Sequence, residues 1–248
     1  MRLTSRELKF IEMKYKIALL VFLFGILIAK AQQPDAFFNA TDTFFKNYVS
    51  NGKVDYKAIV EQPFKLNTLV HMAKNINVIE EKPYEYQAFW INTYNLLVIK
   101  GIVDNYPLKS PLDIDGFFDK MQYDVGGKMI TLNGIENELL RAKFPNEPRF
   151  HFVLVCAGLG CPPIINEAYI PKKLETQLQR QTVSAINNPK FIKVEGNKVN
   201  VSQIFEWYKD DFERSGGIVS FINKFKTSKI PASVELGFYP YDWTLNSK

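Results

Sequence analysis

Cysteine and histidine are scarce in this 248-residue chain, which holds two of each. Both cysteines, Cys156 and Cys161, and one histidine, His151, fall within HFVLVCAGLGCPP (151–163). Thiol, imidazole or metal chemistry therefore has to use this stretch or His71, the second histidine. A zinc site is not indicated. Zinc takes three or four His, Cys or carboxylate ligands, only His151 and the two cysteines cluster, and four residues between the cysteines is not a common zinc-binding spacing. We expect no metal and no cofactor.

Several familiar motifs are also missing. The chain has no G-x-S-x-G, no P-loop and no G-x-G-x-x-G, so the signatures of serine hydrolases and nucleotide-binding folds are lacking. It has no internal repeat and no low-complexity tract. Residues 1–31 carry six of the 31 Lys and Arg and two of the 26 Asp and Glu, which leaves 25 against 24 in the remainder. Without a dense basic block, a nucleic-acid partner is not expected.

The N-terminus has the pattern of a secretory signal peptide. Ile17–Ala29 is an unbroken apolar run that follows Lys14 and Lys16 and ends in Ala-Lys-Ala. The run is shorter than the roughly 20 residues of a membrane-spanning helix. We therefore expect residues 1–31 to be removed, with no stable membrane insertion afterwards; a retained anchor is the alternative. The mature protein is expected to be exported to the periplasm or the extracellular space, and either Met1 or Met13 can be its start.

The remaining chain predicts one α+β domain, in which a helical N-terminal half packs on a small, mostly antiparallel sheet with β-hairpins. Gly126-Gly127 predicts a hairpin over Tyr123–Ile130, Gly196-Asn197 predicts a second over Phe191–Val201, and the tail Glu235–Leu245 predicts a short strand. Phe150–Val155 predicts a buried strand. Helices are expected over Asp35–Val49, Asp55–Glu61, Pro63–Asn75, Tyr84–Asn105, a segment capped by Thr131 or Asn133 and running to Lys143, Pro171–Asn187, Ser202–Phe212 and Ile218–Phe225.

The longest predicted helix carries polar groups among apolar ones. Asn92 and Asn95 share one face, and so do Trp90 and Tyr94. Buried amides need partners, so these asparagines either tie down neighbouring loops or line a cleft and orient a ligand. Glu136 has two interpretations as well: an inward-facing carboxylate, or a first-turn acid that complements the helix dipole.

A cysteine–histidine pair requires the thiol and the imidazole within hydrogen-bond reach. On a regular strand, His151 and Cys156 point to opposite faces. Cys161 lies beyond the Ala157–Gly160 turn and can fold back, so it is the better candidate for a reactive thiol, whereas Cys156 is expected to be a buried strand-end residue. A Cys156–Cys161 disulfide and two free thiols remain equally open.

Five blocks of the chain together resemble one family, the domain of unknown function 547. They are AFWINTYNLLVIKG (88–101), LNGIENELLR (132–141), HFVLVCAGLGCPPI (151–164), VSQIFEWYKDDF (201–212) and PYDWTLN (240–246). The resemblance implies an exported bacterial protein that is distantly similar to papain-like or transglutaminase-like thiol enzymes. Where the family often has histidine, this chain has Asn137, so any imidazole must come from His151.

The resemblance divides the chain into a signal peptide (1–31), a helical N-terminal extension (32–83) and the family core (84–248). The leading hypothesis is a thiol-dependent hydrolase or acyltransferase, with Cys161 as nucleophile, His151 as general base and Glu136 or Asn92 orienting the imidazole. The alternative is a non-catalytic envelope protein that binds a peptide or a small thiol compound. In both, the expected cleft is lined by Trp90, Asn92, Tyr94, Asn95, Glu136, His151 and Cys161.

Overall fold

The computed structural model describes residues 13–16 and 34–248. Residues 13–16 are helical and exposed, and the rest of the expected signal peptide lies outside the described residues. Within the described ranges, no helix combines the length and the apolar character required to cross a bilayer.

The N-terminal half is helical, as predicted. Residues 34–48 form α1, and α2 (Tyr56–Glu61), α3 (Phe64–Asn75) and α4 (Pro83–Asp104) follow. Asp55 caps α2 through its carboxylate, which accepts from the backbone N–H of Ala58. Helix α4 is buried along nearly its whole length, so the other elements pack around it. Buried residues from α1 through the C-terminal tail form one continuous apolar core, which makes the chain a single α+β domain.

The strands form three small sheets rather than the one sheet expected. Strands β1 (Val49–Ser50) and β2 (Lys53–Val54) pair antiparallel. The two predicted hairpins are confirmed, and they turn at glycines with positive φ. Their strands are β3 (Gln122–Val125), β4 (Lys128–Thr131), β5 (Ile192–Glu195) and β6 (Lys198–Ser202). Strand β7 (Glu235–Tyr239) joins β6 in parallel, so the sheet order is β5-β6-β7.

The segment after β4 is a distorted helix instead of the regular one expected. Thr131 caps a short α5 (Leu132–Gly134), and Ile135–Arg141 continues as a π-helix. Its wider turn is closed by a bond from the backbone N–H of Ala142 to the carbonyl of Asn137. Such π-helical turns are rare and occur frequently at functional sites.

The predicted buried strand at Phe150–Val155 is wrong. Pro148–Phe152 is a 3₁₀ helix that starts at a proline, and the chain beyond it is irregular. No strand is needed here because a side chain takes the place of a neighbouring strand. The Asn95 amide donates to the carbonyl of Val153 and accepts from the N–H of Val155, each at 2.9 Å. The alternation that separated His151 from Cys156 therefore does not exist.

The C-terminal half consists of short helices around β5-β6-β7. They begin with the 3₁₀ turn Pro171–Lys173, which leads into α6, and end with α9. The expected single helix from Ser202 to Phe212 is interrupted at Tyr208, which divides it into α7 and α8. The bounds are α6 (Leu174–Ile186), α7 (Ile204–Trp207), α8 (Lys209–Glu213) and α9 (Ile218–Phe225).

Candidate functional site

A cavity of about 270 Å³ lies between the π-helix, the 3₁₀ helix, α7 and the C-terminal tail. Its walls are mostly aromatic, and its polar groups come from a carboxylate, an imidazole, an amide, tyrosine hydroxyls and two cysteines. The lining residues are Tyr94, Phe118, Asn133, Glu136, His151, Leu154, Cys156, Cys161, Ile204, Trp207, Tyr208, Tyr241 and Trp243. The volume suits a small polar group or one amino-acid side chain rather than a drug-sized ligand.

His151 is held in place by a buried carboxylate. Its Nε2 lies 2.8 Å from Oδ2 of Asp211, and both residues are almost inaccessible to solvent. In the neutral imidazole, an Nε2–H that donates to Asp211 leaves Nδ1 with its lone pair. Nδ1 lies on the side of Glu136, 3.9 Å from that carboxylate's Oε1. The Tyr208 ring stacks on the imidazole at 3.9 Å between centroids.

Asp211 also accepts from two arginines. Arg141 Nε lies 2.6 Å from Oδ2, and Arg214 binds Oδ1. Burial on its own would raise the pKa of Asp211, but the hydrogen bonds from His151 and Arg141 outweigh it. They hold the pKa of this carboxyl well below its usual range. Asp211 is therefore the fixed anion that orients the imidazole.

Glu136 projects from the π-helix into the cavity and is 8% exposed. Its charge acts on the tyrosines around it. Burial raises the pKa of Tyr94, Tyr208 and Tyr241 well above the usual value, and the charge of Glu136 raises each further. These hydroxyls consequently stay protonated and serve as hydrogen-bond donors at neutral pH.

Cys156 and Cys161 form a disulfide in the cavity wall. The Tyr241 hydroxyl lies 2.7 Å from Sγ of Cys156 and 2.8 Å from Sγ of Cys161. Sγ of Cys161 also accepts from the backbone N–H of Cys156 at 2.9 Å. Cys161 is 9% exposed and Cys156 is more open, so the expectation that Cys156 is a buried strand-end residue is wrong.

The turn between the cysteines packs directly on the C-terminal tail. Gly160 donates to the carbonyl of Asp242 at 2.8 Å, and a Cβ at this glycine would lie 2.9 Å from both the Asp242 nitrogen and the Tyr241 ring. Asn246 donates its backbone N–H to the carbonyl of Ala157 at 2.8 Å. This packing presents Tyr241 to the sulfurs.

The family model described as "Protein of unknown function, DUF547" matches residues 80–186. These residues belong to the DUF547 family. The DUF547 match covers α4, the π-helix, the 3₁₀ helix, both cysteines and α6. No curated protein and no solved structure matches the chain. The expected similarity to papain-like or transglutaminase-like enzymes stays a prediction, as does the extent of the family core over residues 84–248.

The DUF547 segment supplies five of the cavity's candidate residues, Tyr94, Glu136, His151, Cys156 and Cys161. The sequence had placed Cys156 only in the disulfide and not in the cleft.

Three other candidates of the DUF547 segment lie outside the cavity. The Asn92 amide donates to the carbonyl of Tyr169 at 2.6 Å and accepts from its N–H at 3.0 Å. Asn95 holds the chain that follows the 3₁₀ helix. Both follow the loop-tying interpretation. Trp90 packs on Tyr86 and Phe89. Asn92 is thus not the residue that orients His151, because its amide is already bonded to Tyr169.

The sequence did not single out Asp211, Tyr208 or Tyr241, all of which lie beyond the DUF547 match. The signal was available in the blocks 201–212 and 240–246, which hold these side chains. Arg141, at the end of the block 132–141, binds Asp211 and so links the π-helix to this carboxylate. In the described part of the chain, no three His, Cys, Asp or Glu side chains are arranged to hold a metal ion.

Proposed function

We propose that this protein is a thiol-dependent hydrolase or acyltransferase whose nucleophile is masked by the Cys156–Cys161 disulfide. The observation that carries the proposal is His151 held by Asp211 in the cavity that also contains Cys161. A carboxylate bonded to one imidazole nitrogen, with the other nitrogen left to act as a base for a nucleophile in the same cavity, is the logic of catalytic triads. Asp211 takes the orienting role that the sequence had assigned to Glu136 or Asn92.

Activation requires reduction of the disulfide by a thiol. The thiolate attacks Sγ of Cys156, the more exposed of the two cysteines, and the bond between the two sulfurs breaks. Cys161 leaves as a thiolate, stabilised by the donors that already face it, the Tyr241 hydroxyl and the Cys156 N–H. A second thiol then releases Cys156 from the mixed disulfide, so that the reductant is oxidised and both cysteines are reduced.

In the reduced protein, Nδ1 of His151 accepts the proton of Cys161. The thiolate adds to an acyl carbonyl, the imidazolium returns the proton to the leaving amine or alcohol, and the bond to that group breaks. Water or an amine, deprotonated by His151, then attacks the thioester and releases Cys161. Asp211 keeps the imidazole oriented throughout and stabilises its charged form.

Thiol alkylation tests this proposal. Iodoacetamide is applied across pH 5–9 to the oxidised and the reduced protein, and the labelled cysteine is mapped by mass spectrometry. We expect no labelling before reduction, and labelling of Cys161 well below the ordinary thiol pKa of about 8.5 after it. His151→Asn should slow labelling at pH 7 at least tenfold, whereas His71→Asn, at an exposed position, should not.

Ordinary thiol behaviour would contradict the proposal. It would appear as a labelling midpoint near pH 8.5 that His151→Asn leaves unchanged, with no turnover of a panel of thioester and peptide-amide substrates by the reduced protein. That outcome favours the second candidate, a non-catalytic protein that binds a peptide or a small thiol compound. The observation behind this candidate is that both sulfurs are engaged in the disulfide.

We also propose that the chain is exported after removal of residues 1–31. The apolar run with its basic flank and Ala-Lys-Ala supports this location, and a disulfide is compatible with an oxidising compartment. Expression of the full chain, followed by cell fractionation and N-terminal sequencing, tests it. A mature protein that begins at Gln32 is the expected result, and an uncleaved chain in the cytoplasm would contradict export.

A further inference from the structure

The carboxylate of Glu136 faces the cavity without a basic partner. Among the described residues, no lysine or arginine lies within ion-pair distance of it, and the nearest ionisable side chain is His151, whose Nδ1 lies 3.9 Å from its Oε1. Arg141 and Arg214 both bind Asp211. None of the cavity's described lining residues is a lysine or an arginine. The Tyr208 hydroxyl hydrogen-bonds to this carboxylate, and the charge of Arg141 acts on it from beyond ion-pair distance. A positive group that enters the cavity would supply the direct ion pair that a buried carboxylate otherwise lacks.

The rings around the cavity suit the same kind of group. Trp207 and Tyr241 lie 5.0 Å apart, and Tyr241 and Trp243 lie 4.6 Å apart, so the three form a continuous aromatic wall. Tyr208 belongs to the lining as well. Aromatic faces carry negative electrostatic potential and attract ammonium groups, most strongly when several rings surround a desolvated cation.

We propose that the cavity binds an organic cation, with an ammonium or trimethylammonium group between Glu136 and the rings of Trp207, Tyr241 and Trp243. Hydrogen bonding is not required for a trimethylammonium group, which binds through charge and ring contacts alone. As a statement about substrates, the inference rests on the proposed function and names its class: acyl compounds or acyl acceptors that carry a positive charge next to the reacting group. Binding itself needs no thiol, and it is tested on the oxidised protein.

The decisive comparison uses two probes of the same shape. Choline carries a trimethylammonium group, and 3,3-dimethylbutan-1-ol replaces it with a neutral tert-butyl group. Titration of the oxidised full chain, followed by calorimetry and tryptophan fluorescence, should show saturable binding of choline at least tenfold tighter than that of the neutral alcohol. Because Trp207 and Trp243 line the cavity, binding should change the fluorescence.

Two variants separate the contributions of charge and ring. Glu136→Gln should reduce choline affinity about tenfold and leave the alcohol unaffected, whereas Glu138→Gln, an exposed residue on the same π-helix, should change neither. Trp207→Leu keeps an apolar side chain at an exposed position but removes the ring. Trp207→Leu should lower the affinity for choline several-fold, measured by calorimetry. Trp207→Phe should retain more of the affinity than Trp207→Leu does.

Equal affinity for choline and the alcohol would overturn the inference, because the cavity would then be merely apolar. Absence of saturable choline binding, or a choline preference that survives Glu136→Gln in a protein with native circular dichroism, would overturn it as well. None of these outcomes bears on Cys161 alkylation in the reduced protein, so the cation site and the thiol chemistry can fail separately.

Discussion

Replacing Asp211 with asparagine removes the negative charge that orients His151, the general base of the proposed mechanism. The wild-type carboxylate accepts from His151, Arg141 and Arg214, and its side chain is 5% exposed. In the Asp211→Asn variant, the His151 imidazole and the Arg141 guanidinium no longer have a buried carboxylate as a partner. Breaking a buried ion pair by removing one partner costs roughly 3–5 kcal/mol.

The lower end of that range applies here. Arg141 and Arg214 are 25% and 44% exposed in their side chains, so water compensates part of their loss. We therefore expect Asp211→Asn to lower the free energy of unfolding at pH 7 by about 3 kcal/mol. For a domain of this size, that corresponds to a decrease in Tm of roughly 6–12 °C.

The loss should depend on pH, with a sign set by the lowered pKa of Asp211. A carboxyl with a depressed folded-state pKa stabilises the protein above its unfolded pKa of about 3.9, and this contribution disappears as the pH falls through the folded value. The wild type and the variant should therefore differ fully at pH 7 and progressively less below pH 4. Urea unfolding at pH 7, 5 and 3 measures this difference.

Asp210→Asn provides the matched control, because Asp210 is the neighbouring carboxylate on α8 and is exposed. It should change the free energy of unfolding by less than about 0.5 kcal/mol. If Asp211→Asn unfolds within 1 kcal/mol of the wild type at pH 7, or if the difference persists unchanged at pH 3, Asp211 does not organise the site as described.

Three further predictions concern stability and titration. Asn95→Ala leaves a buried carbonyl and a buried N–H without partners and should cost about 3 kcal/mol in urea unfolding; exposed Asn75→Ala should cost far less. Gly160→Ala forces a Cβ against the tail and should cost about 2 kcal/mol, and an unchanged Tm would refute that packing. The raised pKa of the three cavity tyrosines, Tyr94, Tyr208 and Tyr241, predicts that they stay protonated when exposed tyrosines ionise near pH 10. The free energy of unfolding should therefore fall as the pH rises above 10, because these tyrosines ionise more easily in the unfolded chain. Absorbance at 295 nm that shows all tyrosines ionising near pH 10 in the folded protein would refute the prediction.

The helices and hairpins were predictable because their signals are local. Asp55 caps α2, Pro83 starts α4, and glycines with positive φ turn the hairpins. The error at Phe150–Val155 has a different origin. An apolar run of that length fits a strand or another buried segment equally well, and the choice was made by Asn95, some 60 residues earlier in the chain.

The site was predictable in its thiols and its imidazole, since few residues of those types exist. The carboxylate that binds His151 was not predictable, because Asp210 and Asp211 are indistinguishable in the local sequence. The interruption of the helix at Tyr208 directs Asp211, and not Asp210, to His151. The π-helix was unpredictable for a similar reason. Most of its residues are good helix formers, which predict an α-helix and carry no signal for the wider winding.

The cavity can be completed only after the C-terminal tail has packed on the rest of the domain, which makes it a late step in folding. Tyr241 and Trp243 complete a wall whose other members begin at Tyr94, and Asn246 reaches back to the hydroxyl of Tyr56 at 2.8 Å. Contacts over such sequence distances form late and only after long loops have closed. During synthesis on a ribosome, the cysteines leave the exit tunnel well before Tyr241 does. Oxidation of the nascent chain can therefore join the two sulfurs before the Tyr241 ring covers them.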